Sequence, residues 1–218
     1  MTTTETSQKI LDAAEMLFAE HGFGDVSIRQ VVQEAGVNVA SIHYYFGSKE
    51  ALIEEVLTRR LGPLNEERLA ELERAEQAAE ASGEGPTLEA VLEALLRPAI
   101  RLSRSGDGEN HFVRLVGRLF SEPNSTVRSM VESKYEAVFG RFLEALRRAS
   151  PGIKRKDFFW RIHFFLGAMS LTLCDRERPA IFSGGACDSD DVEEVVAQLV
   201  TFCAGGMRAD AAKKRRKS

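Results

Sequence analysis

Between Asn38 and Tyr45 the chain reads NVASIHYY, a run in which small side chains are followed by three rings with hydrogen-bonding tips. At helical spacing only Ile42, with Phe46 one turn on, belongs to an apolar face. Val39, Ala40, Ser41, His43, Tyr44 and Tyr45 are therefore expected to stay in water. Such a surface suits the major groove of duplex DNA: small residues allow close approach, a methyl can meet thymine, and ring tips can reach base edges or phosphates. Asn38 can cap the helix that presents them.

The elements that must position this surface lie on either side of it. Ser27 and Gln30 have the Ser-x-x-Gln spacing of a capping box, Arg29 sits in the exposed first turn, and Ile28, Val31, Val32 and Ala35 supply a buried face. Gly36 ends that helix because a left-handed residue is needed there. Gly47 breaks the next helix and Ser48 caps a third, so that Lys49 and the free amides of the new N-terminus form a phosphate clamp. The expected DNA contacts are thus Ser27, Arg29, Asn38, Val39, Ala40, Ser41, His43, Tyr44, Tyr45 and Lys49.

Residues from about Ile10 to Leu57, above all GVNVASIHYYFGSKEAL, resemble the N-terminal domain of the TetR family of ligand-responsive bacterial transcriptional regulators. Ile10, Leu11, Ala14, Leu17 and Phe18, followed by Gly22 and Phe23, complete the pattern. The resemblance implies a repressor that binds a palindromic operator as a homodimer through its last two long helices, with an effector in the C-terminal body altering DNA affinity. FWRIHFFLGA from Phe159 and FCAGGMRAD from Phe202 resemble the branch of this family that regulates fatty-acid metabolism, which implies a fatty acid or acyl thioester as that effector.

The 218 residues suffice for a small domain beside a larger one. Apolar periodicity predicts an all-α protein of about nine helices: a three-helix helix-turn-helix domain over 1–55, a ligand-binding and dimerisation body over 56–210, and a basic disordered tail over 211–218. A kink or break is expected at Gly62-Pro63 and a bend at Pro98. The body should hold helices over 64–81, 87–102, around Phe112–Phe120, 125–149, 156–174 and from about 190 to 203 or a little further, with 176–183 as a loop. The helix over 156–174 is apolar nearly all round and must be covered on every side. It and the helix that follows are the expected dimer contact.

An apolar effector could lie among Phe112, Leu115, Phe139 and Trp160, with Arg114, Arg118, Tyr135 and His163 to orient it. The alternative for each is an ordinary surface or satisfied core group.

Net charge is −4, and residues 1–62 carry five Lys or Arg against nine Asp or Glu. Few phosphates would be neutralised per subunit, so useful DNA affinity should need two. No apolar run is long enough to span a bilayer and Met1–Gln8 does not read as a leader, so a soluble cytoplasmic protein is expected. Cys174, Cys187 and Cys203 lack metal spacing and read as free thiols in a reducing compartment. No cofactor is implied. A helical enzyme is the rival reading, but the four histidines are scattered and there is no phosphate loop or nucleophile elbow. A helical adaptor that binds only proteins through its tyrosines is the third.

Overall fold

A computed structural model describes residues 3–81, 83–105, 111, 114–115 and 125–210, and among these the only regular elements are nine α-helices. They are α1 (Thr3–His21), α2 (Ile28–Ala35), α3 (Val39–Tyr45), α4 (Lys49–Ala81), α5 (Leu88–Arg104), α6 (Ser125–Arg148), α7 (Arg155–Cys174), α8 (Arg178–Ser183) and α9 (Val192–Arg208). Two compact units emerge: Met1–Glu66 with Ser105–Ala137, and Glu67–Arg104 with Val138–Ser218. The expected tail, and most of the helix expected around Phe112–Phe120, lie outside the described residues.

In the first unit α1 buries Ile10, Leu11, Ala14, Leu17 and Phe18 against α2 and α3. The Phe18 and Phe23 rings meet 5.4 Å apart across the exit turn. Leu52, Ile53, Val56 and Leu57 of α4 are also buried. One charge is taken inside with them. Glu15 is 2% exposed, accepts a 2.7 Å hydrogen bond from Arg60 Nε and is paired with Arg59, which also reaches Asp12 at 2.7 Å. Burial works against the Arg59 charge, but hydrogen bonds to Glu15 and Asp12 outweigh it and hold the guanidinium above its ordinary range.

Of the kink or break expected at Gly62-Pro63, the break does not occur, since α4 is continuous through Pro63. An interior proline forfeits one hydrogen bond and strains one turn, a penalty of about 3 kcal/mol. Buried Leu61 and Leu64 anchor the helix on both sides of that turn, each at about 2 kcal/mol, and the chain keeps its helical path. Pro98 likewise lies inside an unbroken α5 and is itself buried.

In the second unit α9 packs on α5 and α7, and α5 on α7. Arg104 ties these elements together, donating to the carbonyls of Ser189 and Thr172 at 3.2 Å each. Burial, with repulsion from Arg176, pulls its pKa below the usual value. Asp191 caps α9 by accepting from the amides of Glu193 and Glu194 at 2.9 and 3.1 Å. The helix continues past Gly205-Gly206 to Arg208, because Ala204 and Met207 are buried and Arg161 takes the carbonyls of Met207 and Ala209 at its end.

Two features depart from the sequence pattern. The segment expected as a loop over 176–183 contains α8, closed by Gly184 in the left-handed region at φ 63°. The helix α7 buries Phe158, Ile162, Phe165, Met169 and Leu173, yet Trp160, Phe164 and Leu171 on its opposite side are exposed in the single chain. Among the described residues no helix is long and apolar enough to cross a membrane. Cys174 and Cys187 are exposed, whereas burial pushes the Cys203 thiol up to about 11.

Removing the buried carboxylate takes the acid partner from Arg60 and leaves Arg59 with Asp12 alone among its acids. Glu15→Ala should lower unfolding free energy by about 3 kcal/mol, read from urea denaturation, whereas Asp12→Ala at the exposed rim of the same cluster should cost well under half as much.

Candidate nucleic-acid interface

The geometry of the helix-turn-helix is set by short-range hydrogen bonds. Ser27 adopts an extended conformation (φ −94°, ψ 155°). Its hydroxyl accepts the Gln30 amide at 3.3 Å while the Gln30 side chain accepts the Ser27 amide at 2.7 Å, so both halves of the capping box form. Gly36 takes φ 64°, ψ 34°, and the next amide, that of Val37, reaches back to the Val32 carbonyl at 3.2 Å. Asn38 then caps α3 through its side-chain oxygen, which accepts the Ser41 amide at 3.1 Å.

Ile42 is the one buried side chain of α3, at 1% exposure. Val39, Ala40, His43 and Tyr44 are exposed, Tyr44 at 78%, and Ser41, Tyr45 and Phe46 are half-buried. The rings of Tyr44 and Tyr45 meet edge-on at 5.0 Å, and Tyr45 leans on Phe46 at 6.3 Å. His43 holds Nδ1 3.0 Å from the Gly47 carbonyl. A carbonyl can only accept, so that nitrogen carries the proton and Nε2 is left without it in the neutral ring. Ser27 and Arg29 of the preceding helix are exposed as well.

At the start of α4, the Ser48 hydroxyl accepts the Ala51 amide at 3.1 Å. The ammonium of Lys49 donates to the Gly24 carbonyl at 3.2 Å. That contact was not legible in the sequence, since it joins residues 25 positions apart. It ties the start of α4 to the exit of α1 and leaves the ammonium two further donors.

The residues expected around an effector, where described, divide between the two units. Arg114 is exposed and Leu115 buried in the first unit; Phe139 is half-buried, and Trp160 and His163 are exposed, in the second. The Trp160 ring lies 5.9 Å from that of Phe164 and 6.0 Å from that of His163, an aromatic cluster facing out of the chain. The side chains of Phe112, Arg118 and Tyr135 lie outside the described residues. Two grooves in the second unit have the size of a ligand site. One, of about 510 Å³, is lined by residues from Leu143 to Phe159. The other, of about 500 Å³, includes Arg104, Leu171, Phe182, Leu199 and Phe202. Neither is lined by any of the five expected residues whose side chains are described.

Residues 10–56 match the family model for bacterial regulatory proteins of the tetR family, and residues 93–206, more than half of the chain, match the tetracyclin repressor-like C-terminal domain. The chain belongs to the TetR family of bacterial regulatory proteins. Among curated relatives, the probable HTH-type transcriptional regulator YttP of Bacillus subtilis is 43% identical over 53 residues, 24% of this chain and 26% of that one. BetI of Agrobacterium fabrum is 38% identical over 66 residues, 30% and 32% of the two chains. The matches thus span about a quarter to a third of those relatives' length.

The fold extends over nearly the whole chain. The fatty acid degradation regulator FadR from Bacillus halodurans superposes with a TM-score of 0.64 at 16% identity, covering 93% of this chain and 96% of that one. FadR from Bacillus subtilis, solved in complex with stearoyl-CoA, gives 0.55 at 17% identity over 89% and 97%.

At Gly36 an added Cβ would meet nothing within 4 Å, so substitution is penalised through the backbone alone. Gly36→Ala should cost about 1 kcal/mol in urea unfolding.

Proposed function

We propose that this protein is a homodimeric transcriptional repressor. Its α3 reads the major groove of a palindromic operator, and an effector bound in the C-terminal helical body changes the spacing of the two heads. The observation that carries the reading is the α3 surface: Val39, Ala40, His43 and Tyr44 are exposed and Ser41 half-buried around a single buried anchor, with Asn38 capping the N-terminal end. Ser27, Arg29, Asn38, Tyr45 and Lys49 complete the contact set, and the amides of Lys49 and Glu50 at the start of α4 are oriented to receive a phosphate. The functional division falls near residue 55, with 56–210 forming the ligand-binding and dimerisation body. The reading also makes the protein a cytoplasmic one without enzymatic activity.

The dimer forms through α7 and α9. Trp160, Phe164 and Leu171 on one helix and Phe202 on the other are large apolar side chains left in water by the single chain, Phe164 at 64% and Phe202 at 71% exposure. Around Gly167, Gly205 and Gly206 a Cβ would meet nothing within 4 Å, so a second helix can approach closely there. A two-fold axis through this face is what a palindrome demands, with heads about 34 Å apart or a multiple of it. An effector then acts by binding one spacing better than the other, and it shifts DNA affinity by no more than that difference. The likeness to FadR structures, one of them holding stearoyl-CoA, supports a fatty acid or acyl thioester in this role.

Two variants test the reading. Tyr44→Ala should weaken operator binding by about 1–3 kcal/mol in fluorescence anisotropy while thermal stability stays near wild type; a large loss of stability would make Tyr44 a structural group instead. The double variant Phe164→Glu, Phe202→Glu should sediment as a monomer and lose at least about a hundredfold in operator affinity, because single heads forgo the gain from simultaneous engagement. A protein that binds no duplex DNA at low salt would fit the adaptor or enzyme readings.

A further inference from the structure

On a chain with net charge −4, residues Arg147 to Lys156 carry Arg147, Arg148, Lys154, Arg155 and Lys156 and no acid. The run spans the turn between α6 and α7, where Gly152 takes φ 87° and brings the end of one helix back against the start of the next. The turn closes over an open groove of about 510 Å³ lined by Leu143, Glu144, Arg147, Arg148, Arg155, Phe158 and Phe159.

The side chains of the groove are arranged as an apolar floor with cationic walls. The Phe158 and Phe159 rings meet edge-on at 5.7 Å. The Arg147 guanidinium lies 5.3 Å over Phe158, and that of Arg155 lies 5.9 Å over Phe159. These contacts hold the guanidinium planes in place but neutralise nothing. Arg148 is compensated, since it pairs with Glu76, which Arg141 also contacts at 2.9 Å. Arg147 is not: its hydrogen-bond partner is the Ile153 carbonyl at 2.5 Å, a neutral group. Arg155 meets only a ring among the described residues. The anions nearby are Glu144, on the wall itself, and the half-buried Asp157 one turn into α7.

We propose that this groove binds an anionic amphiphile, a molecule with a carboxylate or phosphate head and an apolar body. The head meets the edges of Arg147 and Arg155, whose forked donors match either anion. The body lies on Leu143, Phe158 and Phe159, displacing water from Phe159, which the chain leaves 49% exposed. The volume falls within the range of small-molecule sites, and the pairing of fixed guanidinium groups with exposed rings gives selectivity for charge and apolar surface together. The site is argued from the second unit alone and does not require its occupant to be the effector that governs DNA binding.

Calorimetric titration of the full chain with decyl phosphate, decanoate and decan-1-ol, each below its aggregation threshold, tests this. At least one of the two anions should bind saturably at one site per chain, and decan-1-ol at least about tenfold more weakly; comparing the anions identifies the preferred head. Arg155→Gln, at a side chain with no structural partner but a ring, should weaken the anion about tenfold. Phe159→Ser should weaken it similarly, and Arg178→Gln, on α8, should leave it unchanged. Absence of saturable anion binding, equal binding of the alcohol, or an Arg155→Gln protein that binds as well as wild type overturns the proposal. Anisotropy with an operator duplex on the same samples keeps the two readings apart, since loss of DNA binding would leave the groove's ligand in place.

Discussion

The burial of Ile42 is the constraint on which the proposed DNA-facing surface rests. A seven-residue helix is too short to be stable by itself, and α3 has one fully buried side chain to hold it. What makes up the difference is hydrogen bonding within a few residues: the Asn38 cap, the Gly36 turn that docks α2 beside it, and the His43 contact to Gly47. Because one anchor and three local bonds fix the helix, no other side chain on it has to turn inward. The tip of Tyr44, 78% exposed, stays available because packing makes no claim on it.

Charge is organised on the same scale. Arg59 and Arg60 stand in a domain rich in acids, and both are spent on Glu15 inside the first unit. The cations that remain near the reading surface are Arg29 and Lys49, the second already holding a backbone carbonyl. On the proposed reading, affinity for DNA in such a domain has little help from long-range attraction and depends on shape and on two heads engaging at once. The basic turn between α6 and α7 belongs to the other unit, where charge serves a different surface.

How much of this was legible in the sequence follows from the range of each interaction. The capping box, the glycine turn and the Asn38 cap involve residues three or four apart, and their residue types specify them, so the helix-turn-helix could be read before any coordinates. The continuity of α4 could not, because it turns on whether Leu61 and Leu64 find a core to enter, and that is a tertiary fact. The six residues of α8 are too few to show a period. The apolar girdle of α7 was visible, but composition alone does not say whether the chain or a second molecule covers it. The grouping of the expected effector residues could not be read from the sequence for a related reason: periodicity assigns a side chain to a helix face, not to the neighbour that face will meet. The groove at Arg147 and Arg155 was missed because its parts lie on two helices whose facing sides are set by the turn between them.

The contact between His43 and Gly47 reaches further than holding a ring in place. With the proton held on the nitrogen that faces the backbone, the other ring nitrogen of the neutral imidazole is an acceptor. If α3 enters the major groove as proposed, that acceptor would pair with the exocyclic amines of adenine and cytosine and be opposed by the oxygen and ring nitrogen of guanine. On the proposed reading, a main-chain oxygen four residues away would thereby help set which letters of the operator this position tolerates.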